Sequence, residues 1–283
     1  MSKTAIVTDS TAYLPKPLLD QYHISVGPQI LIWDQATYQD GVDIQPVEFY
    51  QRLKTAKVMP SSSQVAIPTF KTIFSSLLDQ EYSILAVLIS SKLSGTVDSA
   101  VQARESYPHA PIEIVDSFTT GLELGLHVLA AARAADAGAS LAECKAIAEQ
   151  AQKHTHIYIT VETLEFLHRG GRIGGAQRYF GTALNIKPIL DIRNGLLDAI
   201  ERVRTRGKAL ARLIDLVEAD VKGKKPPLRL ACMHANAEAE ARTLLEQANA
   251  RLGAVETLLG DVSPVIGAHA GPGTIGLAYM VEM

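Results

Sequence analysis

Cysteine is scarce in this sequence: Cys144 and Cys232 are the only two among 283 residues. They lie far apart and form no metal or redox motif, so no disulfide framework is expected and both read as buried reduced thiols. Long apolar runs are missing too. No stretch of 18 apolar residues occurs, which leaves no membrane-spanning helix to expect. The opening Met1-Ser2-Lys3-Thr4 runs straight into strand-like sequence, without the apolar core and cleavage site of a secretory signal, so a cytoplasmic location is expected. Neither sign of charge is in excess: 27 Lys and Arg face 30 Asp and Glu, a net charge of −3. That balance points to neither nucleic acid nor an anionic membrane as partner. No phosphate-cradling G-x-x-x-x-G-K-[ST] loop is found, so no nucleotide cofactor is expected.

What is present suits a large core. Apolar residues make up 47% of the chain and charged residues 20%. At roughly 150 residues per domain, the length predicts two domains. Up to about residue 155, short apolar strands alternate with helices. The strands are Ala5–Asp9, Ile24–Ile32, Ile84–Ile89 and Ile112–Val115; the helices begin near Pro15, Val47, Pro68, Thr96 and Gly121. This alternation predicts an α/β fold with a parallel doubly wound sheet over residues 1–155, whose ligand sits at the carboxyl ends of the strands. The pattern then changes. Asn194-Gly195 between the apolar runs Pro188–Ile192 and Leu196–Ile200 predicts a hairpin. Further strands near residues 157–161, 228–233, 255–259 and 276–281, with helices over 207–220 and 237–252, predict a second α/β domain with a mixed sheet over residues 156–283.

Three polar clusters are candidates for chemistry. Ser61-Ser62-Ser63-Gln64 follows Pro60 and reads as a loop. Ser94-Gly95-Thr96 lies in the turn between a strand and a helix. His269-Ala270-Gly271-Pro272-Gly273 reads as a loop between two late strands. Hydroxyls beside the unpaired amides of a helix start make a natural anion site, because the helix dipole is positive there. Each cluster also fits a structural role alone: a helix cap at Ser94 or Thr96, a plain serine loop, an ordinary hydrogen-bonding His269.

Several ordered segments resemble one family. Val7-Thr8-Asp9-Ser10-Thr11, Pro60-Ser61-Ser62-Ser63-Gln64, Ser90-Ser91-Lys92-Leu93-Ser94-Gly95-Thr96, Val115-Asp116-Ser117, the Thr163–Ile173 stretch with His168-Arg169-Gly170-Gly171-Arg172, and His269-Ala270-Gly271-Pro272-Gly273 together resemble the DegV family over nearly the whole chain. The resemblance implies a carrier without catalytic activity of its own, holding a long-chain fatty acid such as palmitate in an interior tunnel. Its carboxylate would be bound by Ser62, Ser94, Gly95, Thr96 and His269, with Ser63 and Gln64 in a secondary loop. It further implies a separate ATP-dependent fatty-acid kinase as partner. Two departures stand out: Ser62 replaces a threonine, and Val65 replaces a proline.

Arg202, Arg204 and Arg206 alternate with Val203 and Thr205, so an extended segment would set them on one face. With Arg172 they are candidates for docking a kinase or holding phosphate; a solvated charged surface is the plainer reading. Gly121 and Gly125 stand four apart and would either leave room for an acyl chain or allow close helix packing. His154 and His156 offer too few ligands for a metal. Gly271-Pro272-Gly273-Thr274-Ile275-Gly276 matches a dinucleotide fingerprint by letter, but too little chain follows it for a βαβ unit. The rival from another class is a serine hydrolase using Ser94 and His269, with Asp9 or Asp116 orienting the base.

Overall fold

The computed structural model describes residues 3–181 and 186–283. From the N-terminus, β1 (Thr4–Asp9) leads through α1 (Lys16–Gln21) to β2 (Ser25–Gly27). A small excursion follows: β3 (Ile30–Trp33), β4 (Ala36–Gln39), α2 (Pro46–Leu53) and β5 (Ser61–Ser63). The chain then continues through α3 (Ile67–Leu78), β6 (Ser83–Leu88), α4 (Thr96–Arg104), β7 (Ile112–Asp116), α5 (Gly121–Asp136) and α6 (Leu141–His154). The remainder runs β8 (Thr155–Thr160), α7 (Glu165–Arg169), β9 (Lys187–Arg193), β10 (Leu196–Val203), α8 (Arg206–Val221), β11 (Leu228–His234), α9 (Glu238–Leu252), β12 (Glu256–Asp261), α10 (Pro264–Ala270) and β13 (Ile275–Val281).

These strands form three sheets. The first has the order β2-β1-β6-β7 and is parallel throughout. Every residue of β1 and β6 is buried, as expected of parallel strands covered by helices on both faces. The second is the mixed sheet β10-β9-β8-β13-β11-β12, in which only β11 and β12 run parallel. Its β9–β10 hairpin turns at Asn194 and Gly195, both with positive φ, as the Asn-Gly signal predicts. The third is the small antiparallel sheet β4-β3-β5. Helix α5 packs between the two large sheets, touching β1 and β6 on one side and β8, β11 and β13 on the other.

The structure departs from expectation at four places. The strand expected over residues 24–32 is split at Pro28, which has no N–H to continue a ladder. Its first part stays in the parallel sheet and its second joins the small one. Ser61–Ser63 is not a loop: it pairs with Ile30–Ile32 as β5, a register that tertiary context imposes on residues of low strand propensity. Helix α6 was not expected, although Ser140 and Glu143 form a capping box at its start. Helix α10 stands where the sequence predicts a loop, begun by Ser263 as N-cap and Pro264 in the first turn. His269 therefore sits in the last turn of a helix.

The two glycines of α5 serve packing. A Cβ at Gly121 would lie 2.5 Å from Met233 Sδ, and one at Gly125 would lie 2.9 Å from Leu14 Cδ2. Close approach of the helix to both neighbours fills that space, and neither glycine lines the cavity described next.

Candidate functional site

Three segments meet at the carboxyl ends of β1 and β6. The small sheet presents Ser62 and Ser63 on β5. The loop from β6 into α4 presents Leu93, Ser94 and Gly95. The last turn of α10 presents His269. These residues line one cavity, with Thr11, Gln29, Gln64 and Arg172. The resemblance implies Ser62, Ser63, Gln64, Ser94, Gly95, Thr96 and His269 in one site; all of them line this cavity except Thr96.

The polar end has defined geometry. Ser62 Oγ lies 2.6 Å from His269 Nε2. Ser94 Oγ lies 2.9 Å from Thr96 Oγ1, which also accepts from the Val65 N–H at 3.4 Å. Thr96 is thus buried behind Ser94, tying the loop to the segment after β5. Gly95 allows a close approach: a Cβ there would meet Gln64 Cδ at 3.2 Å. Gly95 is also the N-cap of α4 and supplies no side-chain cap, so the first amides of that nine-residue helix have no acceptor within it.

Burial lowers the His269 pKa to about 4; the Arg172 charge pushes the same way, and the Gly170 backbone opposes both. The ring is therefore neutral near pH 7. Its Nδ1 is buried and has no hydrogen-bond partner. Gly170 packs directly on it, so closely that an added Cβ would sit 2.0 Å from Nδ1. Arg172 donates from Nε to the Leu93 carbonyl at 3.2 Å and from Nη1 to the Gly170 carbonyl at 2.8 Å. It thus bridges the Ser94 loop and the Gly170 turn at the cavity edge. Two hydroxyls, a helix start and one guanidinium around a concave end suit an anion, and charge-assisted hydrogen bonds would hold it.

Beyond this end the cavity is apolar. Ile89, Ile159, Val161, Leu167, Leu190, Ile192, Leu197 and Met233 line it, and it encloses about 870 Å³ of empty space, its mouth included. Five of these eight residues come from β8, β9, β10 and β11 of the mixed sheet. That sheet, and not the glycine face of α5, provides the apolar room.

Other expectations are corrected. The Ser94–His269 hydrolase arrangement is not assembled, because His269 bonds to Ser62 and Ser94 bonds to Thr96. Asp9 is fully buried and accepts from the Thr11 and Ile89 amides, while Asp116 accepts from the Ser91 and Phe118 amides; neither orients the imidazole. Arg202, Arg204 and Arg206 do not share a strand face, because β10 ends at Val203. Arg202 lies over the Tyr179 ring, 4.9 Å from its centroid, and Arg204 is exposed. Arg206 opens α8 and pairs with Glu162 and Glu240 at 3.2 Å each. Of the four arginines, only Arg172 lines the cavity. His156 pairs with Asp191 at 3.4 Å, and among the described residues no three side chains are grouped to hold a metal. Sequence reasoning missed Thr11, Gln29 and the sheet wall. The Asp9-Ser10-Thr11 cluster after β1 was the available signal for the first of these.

Fold and cavity together define a three-sheet α/β protein with a pocket that is polar at one end and apolar along its length. The DegV family model, described as one of uncharacterised proteins, matches residues 3–282. The chain belongs to the DegV family. It is 33% identical to Protein DegV of Bacillus subtilis, over 97% of this chain and 98% of that one. It is 34% identical to a DegV domain-containing protein of Clostridium perfringens, over 98% of each. Among solved structures, a DegV family protein of Thermus thermophilus described by its fatty acid binding superposes with a TM-score of 0.92 at 32% identity, covering 99% of both chains. DegV of Bacillus subtilis, described as a fatty acid binding protein, gives 0.90 at 32% identity, covering 100% of both.

Proposed function

We propose that this chain binds one long-chain fatty acid, its carboxylate at Ser62, Ser94 and the Gly95–Thr96 helix start beside His269, and its tail in a tunnel along the mixed sheet. The observation that carries this is the single cavity joining those groups to the aliphatic wall from Ile89 to Met233. Structures about a third identical, described as fatty-acid-binding, support it. The tail supplies most of the affinity. About 14 buried methylenes at roughly 0.8 kcal/mol each gain on the order of 11 kcal/mol gross, and ordering the chain cancels part of it. The head group sets orientation. The acid lies between a unit of residues 1–155 and one of residues 156–283.

In this proposal the chain is a cytoplasmic carrier that performs no chemistry itself and presents the carboxylate to a separate ATP-dependent fatty-acid kinase. Arg172 at the cavity edge, with Arg202 and Arg204 further out, supplies the positive surface for docking or for the acyl phosphate. Native mass spectrometry of protein purified from cells, followed by extraction, tests the central claim. One fatty acid per chain is expected, of about 16 to 18 carbons as the family resemblance implies; an empty protein that also fails to take up added palmitate refutes it. Unchanged kinase-dependent phosphorylation in Arg204→Glu would remove that residue from the docking surface.

A further inference from the structure

The segments carrying Ser94 and His269 share a buried anchor outside the cavity wall. Asp9 ends β1, and its Oδ2 accepts from the Ile89 N–H at 2.8 Å. Ile89 follows β6 directly and opens the loop to Ser94. Asp9 Oδ1 accepts from the Thr11 amide at 2.9 Å, the Thr11 hydroxyl at 2.6 Å and Gln29 Nε2 at 3.3 Å. Asp40 follows β4 and is 1% exposed. Its Oδ2 accepts from Ser10 Oγ at 2.6 Å, and its Oδ1 accepts from the Val265 N–H at 3.4 Å in the first turn of α10. The Ser263 hydroxyl bonds to it as well. Ser10 Oγ in turn accepts from the Gln29 amide at 3.0 Å.

Helix α10 is therefore held at both ends by the small sheet. Asp40, beside β4, binds its start, where the helix dipole favours a negative group. Ser62, on β5, meets His269 at its end. Between them Gly267 leaves no slack, since a Cβ there would lie 2.4 Å from Tyr50 Oη. Resting on the fatty-acid reading above, we propose that Asp40 is a positioning residue: while ionised it holds α10, and so His269, in the geometry that grips the acid, and on protonation it releases that grip.

Burial pushes the Asp40 pKa up to about 7; the Ser10, Val265 and Ser263 bonds oppose burial, and the Asp9 charge adds to it. The titratable groups facing it are Asp9 from β1, Tyr13 from the turn after β1 and Tyr50 from α2; Asp261 at the end of β12, with His234 beside it, acts on the two tyrosines. The sign follows from the raised pKa. Asp40 adds most to fold stability at low pH, and that contribution falls as pH rises through about 7. Its hold on α10 runs the other way, because Ser10 donates to Oδ2 and the Val265 N–H to Oδ1, and a proton placed on either oxygen displaces or weakens one of those two bonds. Stability thus falls from the ordinary aspartate range up to about 7, and affinity rises as pH passes about 7, a pairing that a merely structural carboxylate would not produce.

The test is binding of cis-parinaric acid, a fluorescent fatty acid, at about pH 6 and about pH 8.5, with melting curves at both, for wild type, Asp40→Asn and Ser10→Ala. Wild type should bind about tenfold more tightly at the higher pH, the range for one hydrogen bond to a charged group. Asp40→Asn should bind weakly at both, and at the higher pH should melt no lower than wild type. Equal wild-type affinity at the two pH values, or a wild-type pH step kept in Asp40→Asn, overturns the assignment while leaving the fatty-acid site standing. If the Asn variant does not fold, Ser10→Ala decides: losing one donor raises the Asp40 pKa, so the step must move to higher pH, and an unmoved step overturns the proposal. Wild type that binds the probe at neither pH refutes the fatty-acid reading, and this proposal with it.

Discussion

Replacing Gly170 by alanine tests whether the site depends on the placement of His269. Gly170 has φ −77° and ψ −5°, which alanine adopts without strain. Any effect must therefore come from the new methyl. That methyl would sit 2.0 Å from His269 Nδ1, and the ring must retreat by about 1.4 Å to reach ordinary contact. Nε2 now lies 2.6 Å from Ser62 Oγ, and a displacement of that size in any direction disrupts this bond. That bond joins two neutral groups and is worth about 0.5–1.5 kcal/mol, so palmitate affinity should fall roughly 2- to 12-fold. Overpacking alone costs about 1–3 kcal/mol of stability, so melting is expected to drop moderately while the protein stays folded. Palmitate titration, melting curves and the His269 ring signals in NMR give the three readouts. Gly207→Ala is the control, because a Cβ there meets nothing within 4 Å and its φ is ordinary. Wild-type affinity and unmoved His269 signals in Gly170→Ala would refute this account of the site.

Three further outcomes follow from the same geometry. Ser62→Ala combined with Ser94→Ala removes both hydroxyls from the polar end and should weaken palmitate at least tenfold without unfolding the chain; undiminished affinity in a titration would place the head group elsewhere. Ile192→Trp on the mixed-sheet wall should exclude 18-carbon acids more strongly than 12-carbon ones, read from displacement of a fluorescent fatty acid, and an equal loss for both would mean that the tail does not run along β9. His127 is fully buried beside Thr155, and burial lowers its pKa to about 3. A depressed histidine stabilises the fold above its unfolded pKa and loses that effect on acidification, so wild type should lose stability relative to His127→Gln as pH falls from about 6.5 to about 3. A melting difference that stays flat over that range would show the ring to be solvated.

Local chemistry settled much of this protein before any tertiary contact. Continuous apolar runs specified β1, β6 and β11, because a strand buried on both faces needs no alternation. Asn194-Gly195 specified the β9–β10 turn, because both residues accept positive φ. Ser94-Gly95-Thr96 after β6 marked a helix start able to meet an anion. The fold decided what no local pattern encodes. Ser62 lies 207 positions from His269, and only the small antiparallel sheet, formed after Pro28 diverts the chain, puts them in contact. The serine run became a strand because Ile30–Ile32 offered it an edge. The room for a hydrocarbon came from the mixed sheet, while the glycines of α5 were consumed by Met233 and Leu14. Propensity and capping act over a few residues and are written in the sequence itself. Cavities and the partners of a lone histidine are set by which distant surfaces pack, and that is decided only when the whole chain has folded.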